Sequence, residues 1–456
     1  MIHKYSLFGQ FVVLDVESGC VHVMDELSFY MLDFIDFEGL NKKINLDILF
    51  SKFASHSKAS LLERYDSLYE LYKNNMLFSK NEYSDVENLM ANSHIKAVCL
   101  HVAHDCNLRC KYCFASTGDF KQGRKLMSMD VAKRAIDFLI DQSDNRKNLE
   151  VDFFGGEPSL NFEVVRGVIS YARSLENRYN KNFRFTITTN GVLLNSESID
   201  YLNENMSNIV LSLDGRKEVN DRMRILAGGG GSYDVVLRNF KALVKKRELK
   251  KENNDYYVRG TFTRHNLDFS KDLISMYEEG FHNISIEPVV CSENKDYSIR
   301  RKDLERVFEE YENLAKYIIK IKKEGKYINF FHFNVDLSQG PCLLKRLKGC
   351  GCGCEYVAIS PEGDIYPCHQ FVGEKDWFMG SIFNNNFNNN LKEKFSKINV
   401  ITKSECVNCW AKYYCSGGCS ANNYKYELDM LKPYKIACEM QKKRIECAIA
   451  IKAVFS

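Results

Sequence analysis

Between residues 97 and 289 the chain repeats one unit: a short apolar run, then a stretch with helical spacing of apolar residues. The apolar runs are Ala97–Val102, Leu149–Phe154, Phe183–Thr188, Ile209–Leu213, Tyr257–Thr263 and Ile284–Val289. Helical patterns lie between them, at Asp130–Gln142, Phe162–Leu175, Ser196–Asn203, Val235–Lys246 and Lys271–Glu279. Near-continuous apolar strands alternating with helices predict an α/β fold with a parallel sheet. Six repeats are too few to close an eight-stranded barrel, so the pattern predicts an open or partial (β/α)6 barrel. In such sheets chemistry sits at the carboxyl ends of the strands. The residues that follow each run are therefore the first candidates for a site.

The flanks of this block read differently. At 456 residues the chain is too long for one ordinary domain. Gln10–Val16 and Cys20–Met24 form a predicted hairpin across Ser18-Gly19. Helical spacing follows over Glu26–Ile35, Leu46–Phe53 and Ser60–Asn74. A winged-helix-like domain over residues 1–85 is expected, with polar Asn81–His94 as linker, then a core over residues 95–325 that includes the amphipathic Lys302–Lys323. From Gly340 to Cys438 cysteines and glycines replace apolar periodicity, so metal is expected to order a third region, 340–456. A net charge of +3 argues neither for nucleic acid nor for a membrane surface. The start has no basic segment leading into an apolar core, and no apolar run reaches the roughly 20 residues of a membrane span. A cytoplasmic location is expected.

Seventeen cysteines need an explanation. Cytosolic thiols stay reduced, so clustered spacings point to metal rather than to disulfides. Cys20, Cys99, Cys291, Cys342 and Cys447 stand apart, and most of these read as small buried hydrophobes. Cys106-Asn-Leu-Arg-Cys110-Lys-Tyr-Cys113 directly follows the first apolar run and sets three thiolates on one tight loop. A cubane iron–sulfur cluster on three cysteines keeps one iron open. Zinc, which favours four closed ligands in structural sites, is the alternative.

Other strand ends carry compatible groups. Gly155-Gly156-Glu157-Pro158 ends the second run; its glycines permit close backbone approach and Glu157 can meet an ammonium. Thr188-Thr189-Asn190-Gly191 and Ser212-Leu213-Asp214-Gly215 end the third and fourth, with short polar side chains suited to ribose hydroxyls. Glu287-Pro288 ends the sixth, where a lone Glu-Pro is mostly turn chemistry. Near the end stands Cys406-x2-Cys409-x5-Cys415-x3-Cys419, followed by Cys438, for which a zinc ribbon is the alternative.

With these residues in place the chain resembles the radical S-adenosylmethionine (radical SAM) enzymes. C-x3-C-x2-C with an aromatic before the last cysteine is their signature, and Gly155–Pro158 matches their GGEP motif. The resemblance implies a 4Fe–4S cluster on Cys106, Cys110 and Cys113 whose open iron is chelated by SAM. Cleavage of the sulfonium then gives a 5′-deoxyadenosyl radical that abstracts hydrogen. It also implies contacts to SAM from Gly155, Gly156, Glu157, Pro158, Thr189, Asn190, Ser212 and Asp214, and from Arg224 to the SAM carboxylate. Asn220 stands where many relatives have His, a departure expected to leave Arg224 unaffected.

The C-terminal cysteines resemble the SPASM extension of peptide-modifying radical SAM enzymes, which implies two auxiliary 4Fe–4S clusters, three in all. Carried over, Cys406, Cys409, Cys415 and Cys438 would hold one. Cys350, Cys368 and Cys419 would hold the other, with Cys342 as a further candidate and Cys352 and Cys354 competing at near-equal spacing. Leu100–Phe120 and Glu355–Phe371 look most like the maturases of SCIFF peptides, which form thioether bridges from peptide cysteines. A Cys-rich precursor peptide bound through its leader by the N-terminal module, and a flavodoxin or ferredoxin as electron donor, follow as expectations. Two alternatives stay open. One is a sulfatase maturase making formylglycine, whose relatives commonly carry Asp where His369 stands. The other is an iron–sulfur electron-transfer protein.

Overall fold

The computed structural model describes residues 1–81, 93–250, 252, 255–337, 346–384 and 386–455. Most of the expected linker Asn81–His94, and Cys342, lie outside the described residues. Strands β1 (Ile2–Leu7), β2 (Gln10–Asp15) and β3 (Val21–Met24) form an antiparallel sheet in that order. Helices Glu26–Met31, Lys42–Lys52 and Lys58–Lys73 follow, each capped by an Asp, Asn or Ser side chain. The alternation along β2 divides two cores. Val13 points into the helices with Phe29, Leu49 and Tyr65, while Val12 and Leu14 point the other way.

The central sheet is formed by β4 (Ala97–His104), β5 (Lys125–Leu126), β6 (Asn148–Gly155), β7 (Asn182–Thr189), β8 (Asn208–Ser212), β9 (Asp255–Phe262), β10 (Asn283–Pro288), β11 (Asn329–Phe330), β12 (Tyr356–Ile359), β13 (Asp364–Tyr366) and β14 (Gly380–Ser381). β4 and β6 to β10 pair in parallel in chain order, so the six expected strands are present and the sheet stays open. Each strand lies within two residues of its expected bounds. One correction concerns the faces: only β4 is buried throughout. Along β7, Phe183, Phe185 and Ile187 pack under the helices, while Arg184, Thr186 and Thr188 face the concave side. That side is polar, which suits a ligand better than a packed core does.

The expected break before the cysteine-rich region is not a break in the sheet. β12 pairs in parallel with the free edge of β4, from Tyr356 opposite Ala97 to Ile359 opposite Leu100, and β13 and β14 extend it. Buried Glu355 fastens this seam by pairing with Lys96 and Arg146. The C-terminal helix Lys435–Val454 packs against the barrel helix Leu304–Lys323 on one side and β1 and β2 on the other. No described helix is long and apolar enough to cross a membrane.

Candidate active site

The loop Cys106–Cys113 leaves the carboxyl end of β4 and is held by main-chain bonds to residues 223–227. Arg109 N donates to Ile225 O at 2.7 Å, Lys111 N to Met223 O at 2.9 Å, and Ala227 N to Asn107 O at 2.9 Å. Arg224 therefore lies against the cysteine loop through backbone geometry, which sequence separation conceals. Its Nη1 stands 3.0 Å from the Tyr112 hydroxyl, and that hydroxyl donates to Asp214 at 2.6 Å. Asp214 also accepts from Thr261 N at 3.0 Å. Asp214 is buried and spends both oxygens on protein, so it anchors Arg224 and Tyr112. Burial raises the Asp214 pKa despite the Arg224 charge. Burial alone would lower that of Arg224, but Tyr112, Cys110 and Asp214 together raise it. Asn220 accepts from Asp214 N at 3.4 Å and donates to Ser232 at 3.1 Å. The residue that departs from the family pattern thus ties the β8 end to the next helix.

Glu157 is similarly committed. One oxygen accepts from Thr189 Oγ1 at 2.7 Å and Ser159 N at 3.0 Å, the other from Asn190 N at 2.7 Å. Burial still pushes its pKa up. The glycines before it admit the chain itself: a Cβ on Gly156 would fall 2.2 Å from the Asp105 carbonyl, and Gly155 adopts φ +128° beside Ala103. Pro158 opens a short 3-10 turn, and Ser212 is half-buried at the end of β8.

The three thiols of the loop lie within electrostatic reach of one another. Burial raises Cys106 to about 12 and Cys110 to about 11, and raises Cys113 as well. As free thiols they are protonated at neutral pH, and a metal held there would have to displace those protons. Cys106 Sγ already accepts from Leu108 N at 3.4 Å and faces Asn190 Nδ2 at 3.6 Å, the kind of contact that tunes a cluster thiolate. Among the described residues no three ligating side chains converge on a single metal ion. The thiols of a cubane each meet a different iron and stand further apart. Two buried donors beside the loop, Asn107 Nδ2 and Arg224 Nε, have no partner among the described residues. They fit a ligand that brings carboxylate or hydroxyl oxygens, as SAM does.

Two further groups of thiols form in the cysteine-rich region. Cys406, Cys409, Cys415 and Cys438 are mutual electrostatic neighbours, brought together by two four-residue helices and the start of Lys435–Val454. Burial raises Cys406 to about 11 and Cys438 to about 12. In the other group Cys352 hydrogen-bonds to both Cys350 and Cys368, and Cys419 lies within reach of Cys368 and Cys350. The bond from Cys352 lowers Cys350 to about 6 and holds Cys352 itself well above the thiol range. Of the competing cysteines, Cys352 joins this group. Cys354 instead turns to Lys348, 3.5 Å away, and to the Lys392 carbonyl.

His369 follows Cys368 and leans over the concave face, with ring centroids 5.0 Å from Phe154 and 5.5 Å from Phe114. Burial, then Arg259 and Lys425, hold its pKa near 4, so the ring is neutral. Glu287, at the end of β10, sits among His332 at 3.3 Å, Arg444 at 3.4 Å and Arg259 at 3.8 Å. Its partners come from β9, from the turn after β11 and from the C-terminal helix, none of which the Glu-Pro pair signals. A cavity lined by Glu248, Tyr257, His282 and Tyr327 lies at the amino ends of β9 and β10, away from the cysteine loop.

Residues 100–251 match the model of the Radical SAM superfamily. The fold is the mixed α/β radical SAM fold with a parallel sheet. A radical SAM domain implies a 4Fe–4S cluster and SAM. Among curated proteins, the Cysteine-type anaerobic sulfatase-maturating enzyme of Clostridium novyi is 28% identical over 335 residues, covering 70% of this chain and 86% of that protein. The radical SAM cyclopropyl synthase TigE of Paramaledivibacter caminithermalis is 23% identical over 383 residues, covering 80% and 76%. Among solved structures, native anSMEcpe with bound AdoMet superposes with a TM-score of 0.65 at 21% identity, covering 78% of this chain and 98% of that one. Streptococcus suis SuiB bound to S-adenosylmethionine gives 0.54 at 17%, covering 95% and 98%.

Proposed function

We propose that the chain is a radical SAM maturase that installs Cys-derived thioether cross-links in a ribosomally made, Cys-rich precursor peptide. The observation that carries this reading is the second thiol group, Cys350, Cys352, Cys368 and Cys419, beside His369 at the mouth of the polar concave face. Cys106, Cys110 and Cys113 would hold the SAM-binding cluster, and Arg224 and Asn107 would meet SAM. Cys406, Cys409, Cys415 and Cys438 would hold one auxiliary cluster, and the Cys350 group the other. Cys342, in the sequence reading a further candidate for that group, lies outside the described residues. When bound, the reduced cluster and SAM supply a hydrogen-abstracting carbon radical.

The protein's own part is to bind and orient. Tyr112 and Asp214 fix the guanidinium of Arg224 against the cysteine loop. Glu157 clamps the ends of β6 and β7 together. Phe114, Phe154 and His369 form an apolar rim that limits water at the mouth. The N-terminal sheet ends in the edge strand β3, which suits a leader peptide added as a further strand. An electron donor of flavodoxin or ferredoxin type would reduce the enzyme.

The test is co-expression with a short Cys-rich peptide encoded beside the gene, followed by mass spectrometry. The expected result is a loss of two hydrogen masses per bridge; an unchanged peptide alongside active SAM cleavage overturns the thioether reading. The curated sulfatase-maturating relatives favour a second reading, oxidation of a peptide cysteine to formylglycine, which the same spectra distinguish. A cluster protein that only transfers electrons would release no 5′-deoxyadenosine from SAM.

A further inference from the structure

Lys403 is 1% exposed, and among the described residues no carboxylate pairs with it. Its ammonium donates to the Gly417 carbonyl at 2.6 Å. That carbonyl lies between Cys415 and Cys419, which belong to different thiol groups. The backbone of Lys403 is fixed from the other side, because its own carbonyl accepts from Cys406 N at 2.8 Å and Val407 N at 3.2 Å. The side chain rests directly on Gly417, where a Cβ would stand 3.2 Å from Nζ and where φ is +80°. Cys406 and Cys415 from one group, and Cys419 and Cys350 from the other, all lie within its electrostatic reach. Lys412, nine residues on and also buried, is answered differently, by Glu17 at 2.8 Å.

A buried ammonium requires a countercharge, since removing one from water unpaired is costly. For Lys403 the groups able to supply it are thiolates. We infer that Lys403 is the shared countercharge of the two auxiliary thiol groups and raises the reduction potential of both clusters they would hold. This rests on the reading that each group holds an iron–sulfur cluster. A fixed positive charge favours the more reduced, more negative state of a nearby centre, and does so strongly where water is excluded. Because one ammonium reaches both groups, the two potentials move together.

The test uses the full chain, loaded with iron and sulfide anaerobically, as wild type, Lys403→Met and Lys403→Arg. Iron and sulfide are counted per chain, and midpoint potentials are read by redox titration followed by electron paramagnetic resonance. In Lys403→Met both auxiliary potentials are expected to shift to more negative values while the cluster on Cys106, Cys110 and Cys113 stays put. Lys403→Arg should keep all three near wild type. Loss of auxiliary iron in Lys403→Met but not in Lys403→Arg also supports the inference, since charge is then what retains the thiolates. Unchanged potentials in Lys403→Met, a shift at one auxiliary centre alone, or equal iron loss in both variants would overturn it. Failure of the underlying reading looks different: the wild type itself would carry iron for a single cluster.

Discussion

Buried cations are answered differently in the barrel and in the cysteine-rich region. In the barrel, half-buried Arg216 is held by Asp268 at 2.8 Å and Asp272 at 2.7 Å, and fully buried Arg247 donates to the carbonyls of Met206, Ser207 and Asp255. In the cysteine-rich region, Lys403 has the Gly417 carbonyl and four thiols within electrostatic reach, and Lys348 has the Phe395 carbonyl and Cys354 Sγ. The barrel answers these two cations with carboxylates and carbonyls alone. In the other region Lys412 has a carboxylate, but Lys403 and Lys348 turn to carbonyls and to cysteine, and to whatever deprotonates it.

Iron removal should break that parallel most sharply. Chelation of the loaded protein is expected to raise amide exchange throughout residues 404–438 while β6 and β7 keep their protection. Uniform loss across both regions would refute the contrast. Next in size is the contact that joins the N-terminal sheet to the cysteine-rich region. Glu17 pairs with buried Lys412 at 2.8 Å and accepts from Tyr413 at 2.9 Å. Glu17→Ala leaves that ammonium buried with no countercharge and only the Val407 carbonyl at 3.1 Å, and should cost about 3–5 kcal/mol in denaturant unfolding. A change under about 1 kcal/mol, the range of an exposed pair, would show that the contact is solvated.

At the proposed SAM site, Arg224→Met would remove one charge-assisted contact of about 1.5–3 kcal/mol, so SAM binding should weaken about 10- to 100-fold with iron content unchanged. Unaltered affinity by equilibrium dialysis would move the carboxylate elsewhere. The smallest effect concerns Asp152 on the concave face, whose pKa is raised to about 7 by burial and then by Glu150. A carboxyl raised in the fold favours folding at low pH, and this contribution fades as pH rises toward 7. Asp152→Asn should therefore be more stable than wild type above pH 7, by about 1–2 kcal/mol for a half-buried group, with the gap closing toward pH 4. Parallel unfolding curves at pH 5 and pH 8 would contradict this.

The strands of the barrel were legible because each apolar run meets a glycine or a polar strand end within a residue or two. β1 escaped notice, since Ile2–Leu7 mixes polar and apolar residues and none of it is fully buried. Lys435–Val454 escaped for the opposite reason: its second half is buried on nearly every side, so it shows no polar face and no helical period. β12 was hidden within a motif, and its partner lies far upstream. The candidate site residues stand at the strand ends, where the sequence pattern puts them. Their partners could not, because Glu157 meets Asn190 and Tyr112 meets Asp214 only once neighbouring strands are aligned. The membership of Cys352 was equally out of reach, because spacing alone does not separate three cysteines set two residues apart.

The seam between β4 and β12 bears on how the chain is made. Lys96 and Glu355 are 259 positions apart, and β5 pairs only with Ala103 and His104, so the Ala97–Leu100 stretch of the outer edge of β4 has no partner until the barrel has emerged from the ribosome. During that interval an apolar strand shows a row of unpaired amides and carbonyls, the kind of edge that recruits other chains. The late arrival of Tyr356–Ile359 closes it, and brings Cys350, Cys352 and Cys368 to the barrel in the same step. Chain synthesis thus places the covering of this edge and the gathering of these thiols in one late event, and a truncation before residue 356 should aggregate rather than accumulate as a soluble partial barrel.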